Sequence, residues 1–485
     1  MTSNRGRQAQ IPSDGRAGEL GTSGGPDASL LSARYRSLFV VTSFLVTSFN
    51  FADRAVFAVT AQQVKLELTL TDFQLGILQG LAFAFLYAIL GLPIGRLAER
   101  VSRVRIIAAA VLFWSAATAA CALISNFVQL LLCRVGVGMG EAGSQPPTVS
   151  LVGDLFPPGR RASVMSLILL GTPAGTFVGA SVGGAVAGTW GWRAAFVALG
   201  VPGLLVGLLV LLVLLVLREP RRGLIDDVPP ARTPPPSFAS FLRVMVGKRA
   251  LLFVIAGGAL AGFGMTSISQ FLAVFLARVY GLPVREAGTL YGTISALALA
   301  IGLLAGSFGT DWLTRRGDQR WPAWGPVIGL WTAPLLYWIA FNAHSAALGS
   351  VLLVVAGSFL LLFYGPTTGM IQNMLEPRMR ATGAALFGML YTIIGSGLGP
   401  PFVGWMSDRF AAARFSGSYL AQCPGGRAAL GAAAGIDQAC AAAAADGLKL
   451  ALMASVGIFF LAGVCYLIAA RTIRSDYYHA VDSAA

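Results

Sequence analysis

The sequence predicts an all-α polytopic membrane protein with twelve transmembrane helices in two six-helix halves. Three observations carry that prediction. Of the 485 residues, 56% are hydrophobic and only 12% charged, about half the charged share of an ordinary soluble domain. Apolar runs long enough to span a bilayer, about 20 residues each, recur from near residue 35 to residue 470. Basic residues gather in alternate loops between those runs, as positive-inside bias requires of a multi-pass chain. The formal charge of +14 therefore reflects topology, and with no phosphate-cradling or base-stacking motif present no nucleic-acid partner is expected.

Residues 1–33 are rich in Gly, Ser, Pro and Arg and read as a disordered cytoplasmic tail. No short apolar segment ending in a cleavage site precedes the first span, so no removable signal peptide is expected. Spans fall at about 35–61, 72–96, 104–125, 127–152, 161–188 and 194–217, then at 250–277, 284–309, 323–342, 346–371, 380–406 and 448–470. The polar segment 218–249, with REPRRG and PPARTPPP, reads as a cytoplasmic linker between bundles 34–217 and 250–470; residues 471–485 form a second tail. A cytoplasmic amino terminus puts Arg96, Arg100, Arg103, Arg105, Arg160, Arg161 and the basic linker inside. Only scattered cations such as Lys65, Arg193, Arg278 and Arg409 then lie outside. Both termini are thus assigned to the cytoplasmic side of an inner cell membrane. Segment 407–447, rich in Ala and Gly, reads as a long outward loop, in which Cys423 and Cys440 either pair or remain free thiols. Span two exits through GRLAERVSRVR (Gly95 to Arg105) and span eight through GTDWLTRRGDQR (Gly309 to Arg320), each a Gly, then an acid, then clustered Arg. Two halves repeated in this way around a central cavity are a transporter architecture.

Span four is the unusual one. FVQLLLCRVGVGMGEAGSQPPTVS (127–150) carries Arg134 and Glu141 on one helical face, together with Gly138, Gln145 and Thr148. Each ion at bilayer depth costs roughly 2.5–3.5 kcal/mol on insertion scales, so two in one span point to substrate and proton handling. Span one adds Asp53 and Arg54, which diverge by about 100° on a helix and cannot face the cavity together. The expected arrangement pairs Asp53 with Arg134 and leaves Arg54 for a phosphate or carboxylate, whose oxygens match the guanidinium fork. Glu141 has no partner on its own helix, Arg134 being about 10.5 Å along the axis, and is expected to share proton coupling with Asp53. The plainer alternative is a structural ion pair between spans one and four.

The second half has few ionisable groups in its spans. Gln270 and Tyr364 are its candidate substrate contacts, and Phe57, Phe271 and Phe363 are expected to line an apolar lobe. A charged half facing an apolar half suits an amphiphile. Gly171, Gly175, Gly179 and Gly183 repeat every four residues in span five and are expected to pack closely. Gly302, Ala305, Gly306 and Gly309 of span eight offer a partner face. Gly395, Gly397 and Gly399 before Pro400 and Pro401 suggest a bend in span eleven.

Over essentially all its spans the chain resembles a major facilitator superfamily transporter. Gly95–Arg105 is similar to the superfamily's loop motif after span two, with Glu99 where Asp is usual. NFADRAVFAV (Asn50 to Val59), RVGVGMGEAGSQPPTVSLVGDLFPPGRRA (Arg134 to Ala162) and GLGPPFVGWMSD (Gly397 to Asp408) resemble the Spinster-like subfamily. The resemblance implies a secondary transporter working by alternating access. It also implies amphiphilic cargo of the lysophospholipid or sphingoid-phosphate type with proton coupling; export is the expected direction. The family's buried polar positions fall on Asp53, Arg54, Arg134 and Glu141. Gly95, Glu99, Arg100 and Arg103, with Asp154, are expected to act as a conformational latch, and Asp311 with Arg315 as its weaker copy. Two other functions stay open: uptake of a hydrophilic organic anion with a proton, and a membrane ligand sensor that does not transport. With only two histidines, His344 and His479, and no convergent nucleophile, neither an enzyme nor a metal site is expected. No cofactor is expected beyond the coupling proton, and the partners are a small amphiphile and the bilayer, with the chain a monomer.

Overall fold

Hydrocarbon leaves no water for an exposed peptide group, so long apolar runs must satisfy their own backbone as helices. The computed structural model describes residues 32–478 apart from 99, 217–218, 221–237, 377–378, 430–431 and 433–434, and the described residues form helices and no strand. The tail 1–31 and most of the proline-rich linker lie outside them. By length and composition, nine helical stretches among the described residues can cross a membrane. They make ten passes, because Ser163–Leu212 is two spans, and the ion-bearing spans one and four, which stand apart from the nine, bring the described passes to twelve. The former turns at Gly191, whose φ of 83° is open to glycine without a Cβ penalty.

Span one is Ala33–Glu67, and span two is Asp72–Gln79 continued by Leu81–Ala98. Span three is Arg103–Ala120 with a tight turn Cys121–Leu123. Spans four and ten each break midway, as Phe127–Glu141 then Gln145–Leu155, and as Ala346–Leu361 then Tyr364–Met374. In both, proline follows within two residues of the restart (Pro146, Pro366), where its missing N–H costs no helical bond. Spans seven, eight and nine are Arg249–Val279, Val284–Arg315 and Trp321–Phe341. Span eleven runs Arg380–Leu390, widens to a π-helical turn over Tyr391–Leu398, and resumes as Gly399–Arg414. The expected bend is thus a widened turn, and the Thr266 hydroxyl of span seven donates to the Gly395 carbonyl within it at 2.7 Å.

The outward loop is shorter than its hydropathy suggested. Span eleven continues to Arg414 and span twelve starts at Ile436, so much of 407–447 is helical. The run CAAAAAD at 440–446 is weakly apolar, and alanine's helix propensity decides it. Span twelve then continues through Ile458–Asp476, beyond the expected end at 470. Cys423 and Cys440 are joined as a disulfide, with Cα atoms 5.5 Å apart.

The glycine stripe of span five has a different partner from the one expected. Gly171, Gly175, Gly179 and Gly183 lie on Phe44, Ser48, Ala52 and Val56 of span one, while Gly302 and Gly306 of span eight pack on Ser358 and Leu362 of span ten. The two sets in spans one and five step by four in register, so their ridges interlock along the full contact. A Cβ on Gly175 would sit 2.8 Å from Ser48 Cα. Gly175→Val is expected to cost about 1–3 kcal/mol and to lower transport, because it pushes away the helix that carries Asp53 and Arg54. A thermal melt and flux equal to wild type would refute that account.

Candidate functional site

The interlock of spans one and five sets the rotation of span one, and with it the destinations of two adjacent ions. Arg54 turns toward spans two and four. Its Nε and Nη2 both donate to Glu141 Oε2, at 2.8 and 2.6 Å, and its guanidinium lies over Phe83 (4.3 Å), Phe51 (5.0 Å) and Tyr87 (5.5 Å). Glu141 is the last residue of its helical segment, at the break in span four, and its Oε1 has no hydrogen-bond partner. Asp53, rotated away, accepts from Thr118 Oγ1 of span three at 3.2 Å, and its Oδ1 is also unpartnered. Arg134 donates to the Leu78 carbonyl at 3.3 Å and stacks over Phe57 at 4.5 Å.

The pairing is therefore Arg54 with Glu141, where Asp53 with Arg134 was expected. Helical phase explains it: only one of two neighbouring residues can meet span four at the level of Glu141. Phe57, Phe271 and Phe363 do not line an open lobe, for all three are buried. Phe57 supports Arg134, and the rings beside the ions are Phe51, Phe83 and Tyr87. Gln145 is exposed and accepts from the Tyr87 hydroxyl at 3.4 Å. Tyr364, at the restart of span ten, is 38% exposed and meets Tyr391 edge-on at 6.0 Å. Gln270 contributes its backbone carbonyl to Gln79 Nε2 (2.9 Å). The side chain of Arg54 is 25% exposed. Arg54, Gln145 and Tyr364, midway along their spans, are thus not fully buried.

At the end of the molecule that bears the disulfide, the two halves are held together. Asp72, at the first turn of span two, receives Arg278 of span seven through two bonds (2.8 and 2.7 Å), Lys65 at 2.7 Å and the Ser407 hydroxyl at 2.7 Å. Arg278 Nε also donates to Gln62 at 2.7 Å. Asp408 accepts from the backbone N–H groups of Asp72 and Phe73 (3.0 and 2.8 Å), so a carboxylate of one half caps a helix of the other. Gly76 abuts Pro400, and Gly404 abuts Asp72. Among the described residues, the hydrogen bonds and ion pairs that join the halves lie toward this end. Sequence reasoning treated Lys65 and Arg278 as topology charges and missed this gate. Its available signal was Asp408, which closes the quoted GLGPPFVGWMSD segment.

Residues 43–400 match the family model described as Major Facilitator Superfamily. The chain belongs to that superfamily. A crystal structure of a bacterial homolog to the human lysosomal transporter Spinster, inward-facing and unoccupied, superposes with a TM-score of 0.83 at 31% identity, over 93% of this chain and 100% of the other. An MFS-type efflux pump of Mycolicibacterium smegmatis is 31% identical over 366 residues, 75% of this chain and 82% of the relative. The sphingosine-1-phosphate transporter SPNS2 of Xenopus tropicalis is 24% identical over 376 residues, 74% of this chain and 71% of the relative. The protein is a Spinster-like membrane transporter of a small molecule.

In this Spinster-like transporter the expected latch is only partly a cluster. Arg103 is buried and tied to Asp154, to Ser150 (3.0 Å), to the Pro220 carbonyl (2.9 Å) and to Glu219 (2.9 Å). Those contacts knot spans three and four to the segment after span six, all on the side of the first half. Burial opposes the charge of Glu219, yet bonds from Ser102 and Arg103 hold its carboxyl below the ordinary range. Glu99 lies outside the described residues. Arg100 is exposed, and the nearest side chain to Gly95 is Pro146 of span four. Asp311 and Arg315 are exposed and form no ion pair among the described residues. Asp311 instead lines a cleft of about 220 Å³ with Thr310, Gln372 and Asn373. Among the described residues, the ion pairs of Arg103 stay on the side of the first half, with Asp154 and Glu219.

Proposed function

We propose that this transporter moves an amphiphilic anion by alternating access, coupled to protons carried by Asp53 and Glu141, as a monomer. The Arg-rich end, with both termini, faces the cytoplasm of an inner cell membrane, and the disulfide end faces out. The Arg54–Glu141 pair supports this reading most directly. One carboxylate oxygen takes both guanidinium bonds and the other takes none, while Arg54 stays partly exposed. An incoming phosphate or carboxylate competes with Glu141 for that cation, and a proton on Glu141 surrenders Arg54 to the cargo. Asp53 is within electrostatic reach of Glu141, Arg54 and Arg134, so a charge change at one is felt at the others. Phe51, Phe83 and Tyr87 on one side, with Tyr364 and Tyr391 on the other, offer apolar surface for a tail. The relative named for sphingosine-1-phosphate and the relative named an efflux pump support the same cargo class and direction. One proton descending about 100 mV supplies roughly 2.3 kcal/mol, and one pH unit adds roughly 1.4 kcal/mol.

Reconstitution in liposomes under imposed pH and voltage tests the proposal. Labelled lysophospholipid is expected to move faster than a short carboxylate and to respond to the proton gradient, and Asp53→Asn is expected to remove that response. Carboxylate flux without lysolipid flux would assign uptake of a hydrophilic anion, and binding without counterflow would assign a sensor. An unchanged pH response in both Asp53→Asn and Glu141→Gln would end proton coupling at these residues.

A further inference from the structure

The connection between spans eleven and twelve is built more carefully than a tether requires. Tyr419, Cys423 and Cys440 form a small apolar cluster of their own with Ala411, Ala443 and Ala444. The disulfide spans 17 residues and fastens this connection to the first helix of span twelve. From there the turn Pro424–Gly426 leans across onto the other half of the protein. A Cβ on Gly425, whose φ is +68°, would meet the Lys65 carbonyl and Thr69 Cα, each at 3.2 Å. One on Gly426 would lie 3.6 Å from both Lys65 Nζ and the Tyr419 hydroxyl. Tyr419 is buried, its hydroxyl has no hydrogen-bond partner, and it lies within electrostatic reach of Asp72, Arg278 and Asp408.

These contacts bear on a physical difficulty. Lys65 and Asp72 flank the short connection between spans one and two at the end of the bundle, where water ordinarily reaches charges, yet their side chains are 2% and 1% exposed. Exposed ion pairs are worth little, whereas in a dry site separating the partners leaves uncompensated buried charges and is costly. The strength of the gate therefore depends on what covers it.

We propose that the disulfide-clamped turn Tyr419–Gly426 is a lid on the Lys65–Asp72–Arg278–Asp408 gate, with Gly425 and Tyr419 as the residues that position it. Seated on the end of span one, it keeps water from the ions and must lift before the halves part at that end. The disulfide holds the lid ready to reseat by limiting the conformations the connection samples when undocked. The proposal rests on the reading of these four charges as a gate.

Hydrogen–deuterium exchange on the full-length protein in lipid nanodiscs tests it, read at the amides of Asp72 and Phe73 that Asp408 holds. C423S/C440S removes the clamp. Gly425→Val keeps the disulfide and places a wedge between the turn and span one. Arg278→Gln breaks the gate itself and serves as the reference. Both lid variants are expected to speed exchange at 72–73 by about tenfold, with the interior amides of span three (108–111) unchanged. Wild-type exchange at 72–73 in both lid variants, alongside faster exchange in Arg278→Gln, would overturn the lid and leave the gate standing. No change in Arg278→Gln either would bring down the gate and the lid with it. If C423S/C440S loosens span three as well, Gly425→Val alone decides: faster exchange at 72–73 supports the lid, and wild-type exchange there overturns it.

Discussion

Arg54→Gln is expected to abolish transport and to destabilise the protein by about 3–5 kcal/mol, the usual cost of stripping one partner from a buried ion pair. Glu141 has a side-chain exposure of 0%, and Arg54 is the only cation within ion-pair distance of it among the described residues. The deficit is expected to be largest at high pH. A carboxylate left alone in that packing can shed its charge only by taking a proton, which becomes easier as pH falls. Arg54→Gln/Glu141→Gln, with neither charge present, is expected to recover most of the stability and none of the transport. Thermal melts at pH 5 and pH 8 with flux measured in parallel check both statements. Equal stability of the single and double variants would mean that the pair is not coupled in the folded protein.

Asp72→Asn is expected to shift the resting population toward the state open at the disulfide end. The substitution leaves Lys65 and Arg278, both buried, facing each other without the carboxylate that holds them. Losing that partner costs the joined state about 3–5 kcal/mol, enough to carry a two-state equilibrium across one to one. Asp408→Asn is expected to do less, because it weakens a helix cap worth about 0.5–2 kcal/mol. Interhalf distances between spin labels on spans two and eleven, above the gate, report the shift. Distributions identical to wild type in Asp72→Asn would show that the disulfide end is held by glycine and proline packing, with the ions as passengers.

These two expectations differ in how far the sequence anticipates them. Asp53, Arg54, Arg134 and Glu141 are conspicuous as letters, because an ion inside an apolar run is costly wherever the helix points. Which of them pair was not legible, since a rotation of span one through a single residue exchanges Asp53 for Arg54. That rotation is set by Ser48 and Ala52 seating against Gly175 and Gly179. The same limit applied to the glycine stripe, whose small residues announce a close contact without naming the partner. Lys65, Asp72, Arg278 and Asp408 were less legible still. Charges at span ends are commonplace, and residues 72 and 408 meet only after most of the chain has folded between them.

The sequence by itself determined that this chain is a helical transporter in two six-span halves, that four costly ions lie in its first half, and where its spans begin to within a few turns. Those follow from local quantities: hydropathy over about 20 residues, the distribution of Lys and Arg, and short motifs. Only the tertiary structure decided that Arg54 holds Glu141, that Arg103 ties a knot on the first half's side, and that the halves are held together at the disulfide end. Each of these depends on helix rotation and on contacts between residues far apart in the chain. Hydropathy is nearly blind to both, because in a bilayer the lipid-facing and protein-facing sides of a helix can be equally apolar.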